Sequence, residues 1–386
     1  MRASRAIITS TVWMLLAMPL FAAEDDSKAV GQFQAFLAGL NDQSFEVIAD
    51  HLDQTDLSNR VLGHQPVRAD VEEMFRSDFW SIVERGVINV LPPQGMDTKG
   101  ELVRFSFENG QGQAVVRFRY PSYEFQFHVF DLRHDRRSRL KVVDWFDSNK
   151  GLMFSAFMAE ELLTAKPVKE ATRRLLSMQS PSDLQLFQAT ELLKAIRDRE
   201  AARFYDIYDE FDGQLRREPW VAKHAVFMAH VLQDSSRFAS ALQIFAEVFL
   251  EDLDMALLLS DFYVTVEDYE KSFAAMQRFE QHFSVAEGSI PAKLSALALA
   301  IGKPDDAEKY AVKATANEPS FELGWWSLLR ARAAAEDFEG ALEPLTQLED
   351  RFGYRLDEAK LRRDKFRAFT KLAISQQYRD WRAARD

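Results

Sequence analysis

Cysteine is absent from all 386 residues. No disulfide can staple the fold, no lipidated-cysteine anchor can form, and thiolate metal sites and thiol catalysis are excluded. The common signatures of catalytic centres are missing too. There is no Gly-x-Ser-x-Gly, no His-Glu-x-x-His and no phosphate-binding loop. Gly110-Gln111-Gly112 begins like a dinucleotide fingerprint, but it sits in a hairpin turn with no helix behind it. Basic charge is in deficit: 48 Lys and Arg stand against 60 Asp and Glu, for a net charge of −12. The basic clusters are short and flanked by acids (Arg133, Arg136, Arg137 and Arg139; Arg362, Arg363 and Lys365), so nucleic acid is not an expected partner. Beyond the first two dozen residues no long apolar run remains, so no stable membrane insertion is expected. Neither a cofactor nor a metal is expected.

What is present begins with an N-terminal export pattern. Arg2 and Arg5 precede an apolar stretch from Ala6 to Phe21, interrupted only by Thr9, Ser10, Thr11 and Pro19, and Ala22 and Ala23 precede Glu24-Asp25-Asp26. A basic start, a short apolar centre and small residues before a polar segment make a cleaved signal peptide over residues 1–22. The expected compartment is a bacterial periplasm. Secretion from the cell and an uncleaved signal holding the chain at the inner membrane are the alternatives. Nearly half the chain is apolar and 31 residues are Phe, enough for a large core without disulfides.

The hydrophobic period divides the remainder. Helical spacing runs through Val30, Phe33, Phe36, Leu37 and Leu40, then through Phe45, Ile48 and Leu52, with Asn41-Asp42 between. A further helix is expected over about 69–88, with Asp70 as N-cap. The period then becomes two. Val103, Phe105 and Phe107 alternate up to Asn109-Gly110, a hairpin signal; Val116, Phe118 and Tyr120 follow, then Tyr123, Phe125, Phe127 and Val129, and finally Leu140–Phe146. From about residue 152 the pattern is helical to the end, with Pro181-Ser182-Asp183 capping a helix over Leu184–Glu210 and Pro219-Trp220 breaking the chain. The expected architecture is an α+β domain over 28–155, with helices packed on a curved antiparallel sheet, a helical connector over 156–219, and an all-α stack of helical hairpins over 220–386. Asp357–Arg385 closes that stack as a terminal cap.

Two resemblances follow from these residues. The helix–sheet order of 28–155, closing on Leu140-Lys141-Val142-Val143-Asp144-Trp145-Phe146, resembles the nuclear-transport-factor-2-like fold, whose cone can hold a small ligand or an active site. The anchors Phe238, Tyr269, Pro304 and Phe338 are spaced 31, 35 and 34 residues apart. Ala241, Ala307 and Ala341 fall at close-packing positions, and Gly302-Lys303-Pro304-Asp305-Asp306-Ala307-Glu308-Lys309-Tyr310-Ala311 opens a second helix. This pattern resembles the tetratricopeptide repeat. Ser272 in place of Ala, Pro304 in place of an aromatic and missing turn glycines depart from it.

The repeat resemblance implies a non-enzymatic scaffold or assembly factor that binds a protein on its concave face. Lys223, Val226, His230, Asp261, Trp326 and Arg330 would line that groove. Trp326, beside Arg330 and next to the packing residue Trp325, reads either as a binding anchor or as packing against the neighbouring repeat. The alternative function is binding of, or catalysis on, a small apolar ligand in the N-terminal cone, with Asp144, Tyr120 and Tyr123 as candidate residues. Arg104, Arg117, Arg119, Glu124, Gln126 and His128 read as the opposite, solvated sheet face, which could also make a homodimer. The cluster His128, Asp131, His134 and Asp135 reads as a solvated strand end, because the arginines around it oppose a cation. Asp206, Asp209 and Asp212-Gly213 have the wrong spacing for a calcium loop and read as a solvated helix face.

Overall fold

The computed structural model describes residues 24–64, 67–91, 98–120, 124–165, 172–173, 175–178, 180–363 and 366–385. The expected signal segment lies outside them, and no helix among the described residues is long and apolar enough to cross a membrane. The spacing of Phe33, Phe36, Leu37 and Leu40 folds as α1 (Glu24–Asn41), with these four side chains buried. Helices α2 (Phe45–His51), α3 (Gln54–His64), α4 (Ala69–Ser77) and α5 (Phe79–Val90) follow. The single helix expected over 69–88 is two helices, because Asp78 leaves helical geometry at φ −107°, ψ 21°. Asp70 is not the N-cap. It lies in the first turn of α4 and accepts from Arg68 Nε at 2.9 Å.

Strands β1 (Gly100–Glu108), β2 (Gln111–Arg119), β3 (Phe125–His134), β4 (Leu140–Asp147) and the short β5 (Leu152–Met153) form one antiparallel sheet in chain order. Asn109 and Gly110 both take positive φ (53° and 79°), the geometry a tight two-residue hairpin needs. One sheet face packs on the N-terminal helices: Phe130 lies 5.3 Å from the Phe36 ring and 5.7 Å from Phe33. The chain then leaves the sheet through α6 (Phe154–Ala165).

The second sheet face is covered as well. Val115, Phe125, Phe127 and Val129 join one core with residues of the C-terminal helices. This reverses the expected side of β3: Phe125, Phe127 and Val129 point toward the C-terminal half, while Gln126, His128 and Phe130 point toward the N-terminal helices. The polar Gln126 and His128 read as a solvated side, but both are buried, and in a strand covered on both faces polarity does not mark the outer side.

The all-helical part begins with α7 (Asp183–Arg197), α8 (Ala201–Tyr208) and α9 (Gly213–Arg216). Ser182 and Gln185 form a reciprocal capping box at the start of α7. The expected helix Leu184–Glu210 is broken in two, and Arg199 in the break has φ 58°. Four hairpins follow: α10 (Pro219–Leu232) with α11 (Ser235–Phe249), α12 (Ala256–Thr265) with α13 (Tyr269–Phe283), α14 (Ser289–Ala300) with α15 (Pro304–Asn317), and α16 (Glu322–Ala334) with α17 (Leu342–Phe352). Helices α18 (Glu358–Arg363), α19 (Arg367–Ile374) and α20 (Gln376–Ala383) close the end. Ala241, Ala307 and Ala341 are buried between helices. Ser272, standing where Ala was expected, is also buried and satisfies its hydroxyl on Ser260 O at 2.9 Å. Leu186, Leu193 and Phe204 share a core with Val226 and Phe245, so packing is continuous across Pro219.

Candidate functional site

The outer sheet face meets the repeat stack through rings and one buried cation. Phe127 lies 4.5 Å from Phe283 and 6.3 Å from Phe279, both on α13. Beside them Arg117, only 1% exposed, donates to Glu287 Oε2 at 3.0 Å, to both oxygens of Glu318 at 2.7 and 2.8 Å, and to Glu101 Oε2 at 2.8 Å. Its guanidinium lies 4.9 Å from the centre of the Phe321 ring. The carboxylates are themselves held: Glu287 accepts from the N–H groups of Ser289 and Ile290 at the start of α14, and Glu318 from Gly288 N at 2.9 Å. Burial pulls the Arg117 pKa down, but Glu318, Glu287 and Glu101 more than reverse it. Burial pushes the Glu287 carboxyl up, against Arg117 and the helix N–H donors. Glu318 is held below the usual range: burial raises it, but the bond to and charge of Arg117, the Gly288 N–H and the charge of Arg119 lower it. Of the face expected to be solvated, Arg117 is covered by the C-terminal helices and Gln126 and His128 are buried on the opposite side, while Glu124 is exposed and Arg119 partly so. No sequence signal pointed to Arg117, whose strand position reads as polar surface.

The residues assigned to the groove do not form one open surface. Lys223, half-buried near Asp147, Lys150 and Glu160, has its ammonium pKa lowered by burial. Val226 is in the core and His230 is exposed. Asp261 pairs with Lys293, which lies 5.4 Å from the Phe125 ring, at the margin of the sheet contact. Trp326 is half-buried, edge-on to Tyr354 at 5.2 Å and 6.4 Å from Phe369 of α19, with Arg330 over its ring at 5.7 Å. The packing alternative therefore describes Trp326: it seats the terminal cap.

The N-terminal interior is filled by Phe33, Phe36, Phe118, Phe130 and Trp145. Asp144 does not point into it. A register shift between β3 and β4 puts Val142 and Trp145 in that core and leaves Asp144 opposite Asp131. Asp144 is buried, accepts from Trp145 N (2.9 Å), Ser155 N (3.0 Å) and Ser155 Oγ (2.5 Å), and so anchors the start of α6. His64 Nε2 lies 2.7 Å from the same Ser155 Oγ. Arg60, Gly63, His64, Met153, Asp144 and Ser155 line an open pocket of about 310 Å³. Tyr120 bonds Gln126 Oε1 at 2.8 Å, and burial together with Asp147 and Glu124 pushes its phenol up to about 12. Tyr123 lies outside the described residues.

Of the His128 cluster, His128 is fully buried between Phe118 and Phe130, not solvated. Asp131 accepts from Gln113, and Asp135 ties the β3–β4 turn to Arg137 and Arg139. Among the described residues no group of three or more His, Cys, Asp or Glu is placed to hold a metal ion.

Burial pushes the Asp144 carboxyl up to about 6, against the bonds from Ser155 and Trp145 and the charge of Arg60. A carboxyl raised in the fold binds its proton more tightly there than in the unfolded chain. Stability from this group is therefore greatest below about pH 4 and falls as pH rises to about 6, by up to ~3 kcal/mol. Asp144→Asn, which can still accept from the two backbone N–H groups, is expected to flatten that part of the curve. Urea unfolding of both proteins between pH 4 and 7 checks it; parallel pH profiles would refute it.

No family model and no curated protein matches this chain. Among solved structures it is similar to two of a mutant form of MamA. They are 13% and 14% identical, with TM-scores of 0.32 and 0.34 over 43% and 45% of this chain and 96% of theirs. A likeness at that level carries no functional argument.

Proposed function

We propose that this chain is an exported, non-enzymatic scaffold or assembly factor of a bacterial cell envelope. In this reading it is a tetratricopeptide-type repeat protein holding a protein partner on its hairpins, with a nuclear-transport-factor-2-like domain built against them. The observation that carries the partner-binding reading is an apolar group on the first helices of the first two hairpins. Phe227 and Val231 follow Lys223 at four-residue steps along α10, and Val231 is 66% exposed. Phe227 meets Phe262 of α12 edge-on at 5.9 Å, while Val264 and Val266 are exposed at the end of that helix. Apolar side chains grouped on an exposed face favour docking of another chain's apolar face. Export rests on the pattern of Arg2, Arg5 and the apolar stretch to Phe21.

A second reading rests on the Asp144 pocket: a small ligand held against Arg60, His64 and Met153, with the repeats as tether. One experiment separates the two. Crosslinking in cells is run on the full chain, on Phe227→Asp with Val231→Asp, and on Asp144→Asn. The scaffold reading expects partner recovery to fall at least about tenfold in the double variant and to persist in Asp144→Asn. Undiminished recovery from the double variant would sink it. Loss of the chain's cellular role in Asp144→Asn alone would favour the pocket.

A further inference from the structure

We infer that the outer face of the sheet is the resident occupant of the repeat stack, and that the two halves act as one rigid body with no lid that opens. The contact has the make-up of a protein interior. Val115, Phe125, Phe127 and Val129 are each no more than 4% exposed, and they share a core with Leu257 of α12, Phe279 and Phe283 of α13 and Ile290 of α14. The approach is close at the end of the sheet, where a β-carbon on Gly151 would collide with Met255 Sδ. Contacts between domains that move are ordinarily more polar than this and resemble transient interfaces.

Arg117 closes one edge. Its carboxylates come from the sheet itself (Glu101) and from the turns that precede α14 (Glu287) and α16 (Glu318). One guanidinium thus ties two consecutive hairpins to one strand. Opening would strip a buried cation of its partners and leave Glu287, fully buried, with an uncompensated charge. The consequences go beyond partner binding. An external protein cannot reach the face of α12–α14 that the sheet covers, and the covered face of the sheet is not free to make a homodimer.

The natural absence of cysteine permits a direct test on the full chain. Val115→Cys reports on the outer sheet face and Val116→Cys, one residue along and fully buried on the inner face, is the control. Labelling by a thiol reagent under native conditions is followed for each. The expected result is protection of the two cysteines within about tenfold of one another, both limited by global unfolding. Labelling of Val115→Cys at least about a hundredfold faster, with Val116→Cys still protected, would mean that the sheet lifts off and would overturn the inference. Should Val115→Cys fail to fold, Val129→Cys makes the same comparison from β3. The outcome does not depend on whether any partner binds.

Discussion

Replacing Arg117 with methionine is expected to lower the unfolding free energy by about 3–5 kcal/mol, the usual consequence of breaking a buried ion pair from one side. The reason lies in what remains. Glu101, Glu287 and Glu318 converge on the guanidinium, and Glu287 has no access to water. Without the cation, Glu287 must either keep an unpaired charge in the interior or take up a proton. Its N–H partners at the start of α14 offset only part of that penalty. Arg117→Lys is expected to rescue little, since one ammonium cannot span three carboxylates as the forked guanidinium does. Adding Glu287→Gln to Arg117→Met should recover part of the loss, because it removes the most deeply buried charge. Denaturant unfolding of the single and double variants measures this as a coupling energy. A change below about 0.5 kcal/mol for Arg117→Met would show that the cluster is solvated.

Truncation of Phe127 to alanine should destabilise the chain by a similar amount, about 3–5 kcal/mol. Its ring is fully buried between Phe125, Phe279 and Phe283, so the deletion opens a cavity where the sheet meets α13. The expectation separates two views of β3. If Phe127 faced the N-terminal interior, the loss would fall on the sheet and its helices, leaving the hairpins protected. With the side chain between the halves, amide exchange should accelerate in β3 and in α12–α14 together. Hydrogen exchange with mass readout distinguishes these outcomes, and unchanged protection in α13 would contradict the observed packing.

Part of this organisation is legible in the chain itself. The anchors Phe238, Tyr269, Pro304 and Phe338 mark the four hairpins, because close helix packing demands a fixed repeat of large and small side chains whatever lies outside the stack. Asn109-Gly110 marks its turn, because both residues must take positive φ. Trp326 was ambiguous, since a half-buried indole on a terminal hairpin looks alike whether it meets a cap helix or a partner. Asp144 was misplaced by a bulge, which shifts the alternation by one residue and leaves no mark in composition.

Local pattern by itself determined the order of elements: helices, an antiparallel sheet, then helical hairpins. Turn chemistry, caps and period act over a few residues, and the chain carries them wherever it goes. Only the tertiary structure decided that the sheet lies against the hairpins. That decision turns on Arg117 meeting Glu287 and Glu318, 170 and 201 residues away, and on Phe127 meeting Phe283. Charges so far apart in sequence register as polar surface until the fold brings them together, and a strand with apolar residues on both faces fits either side of a core until a second layer covers it.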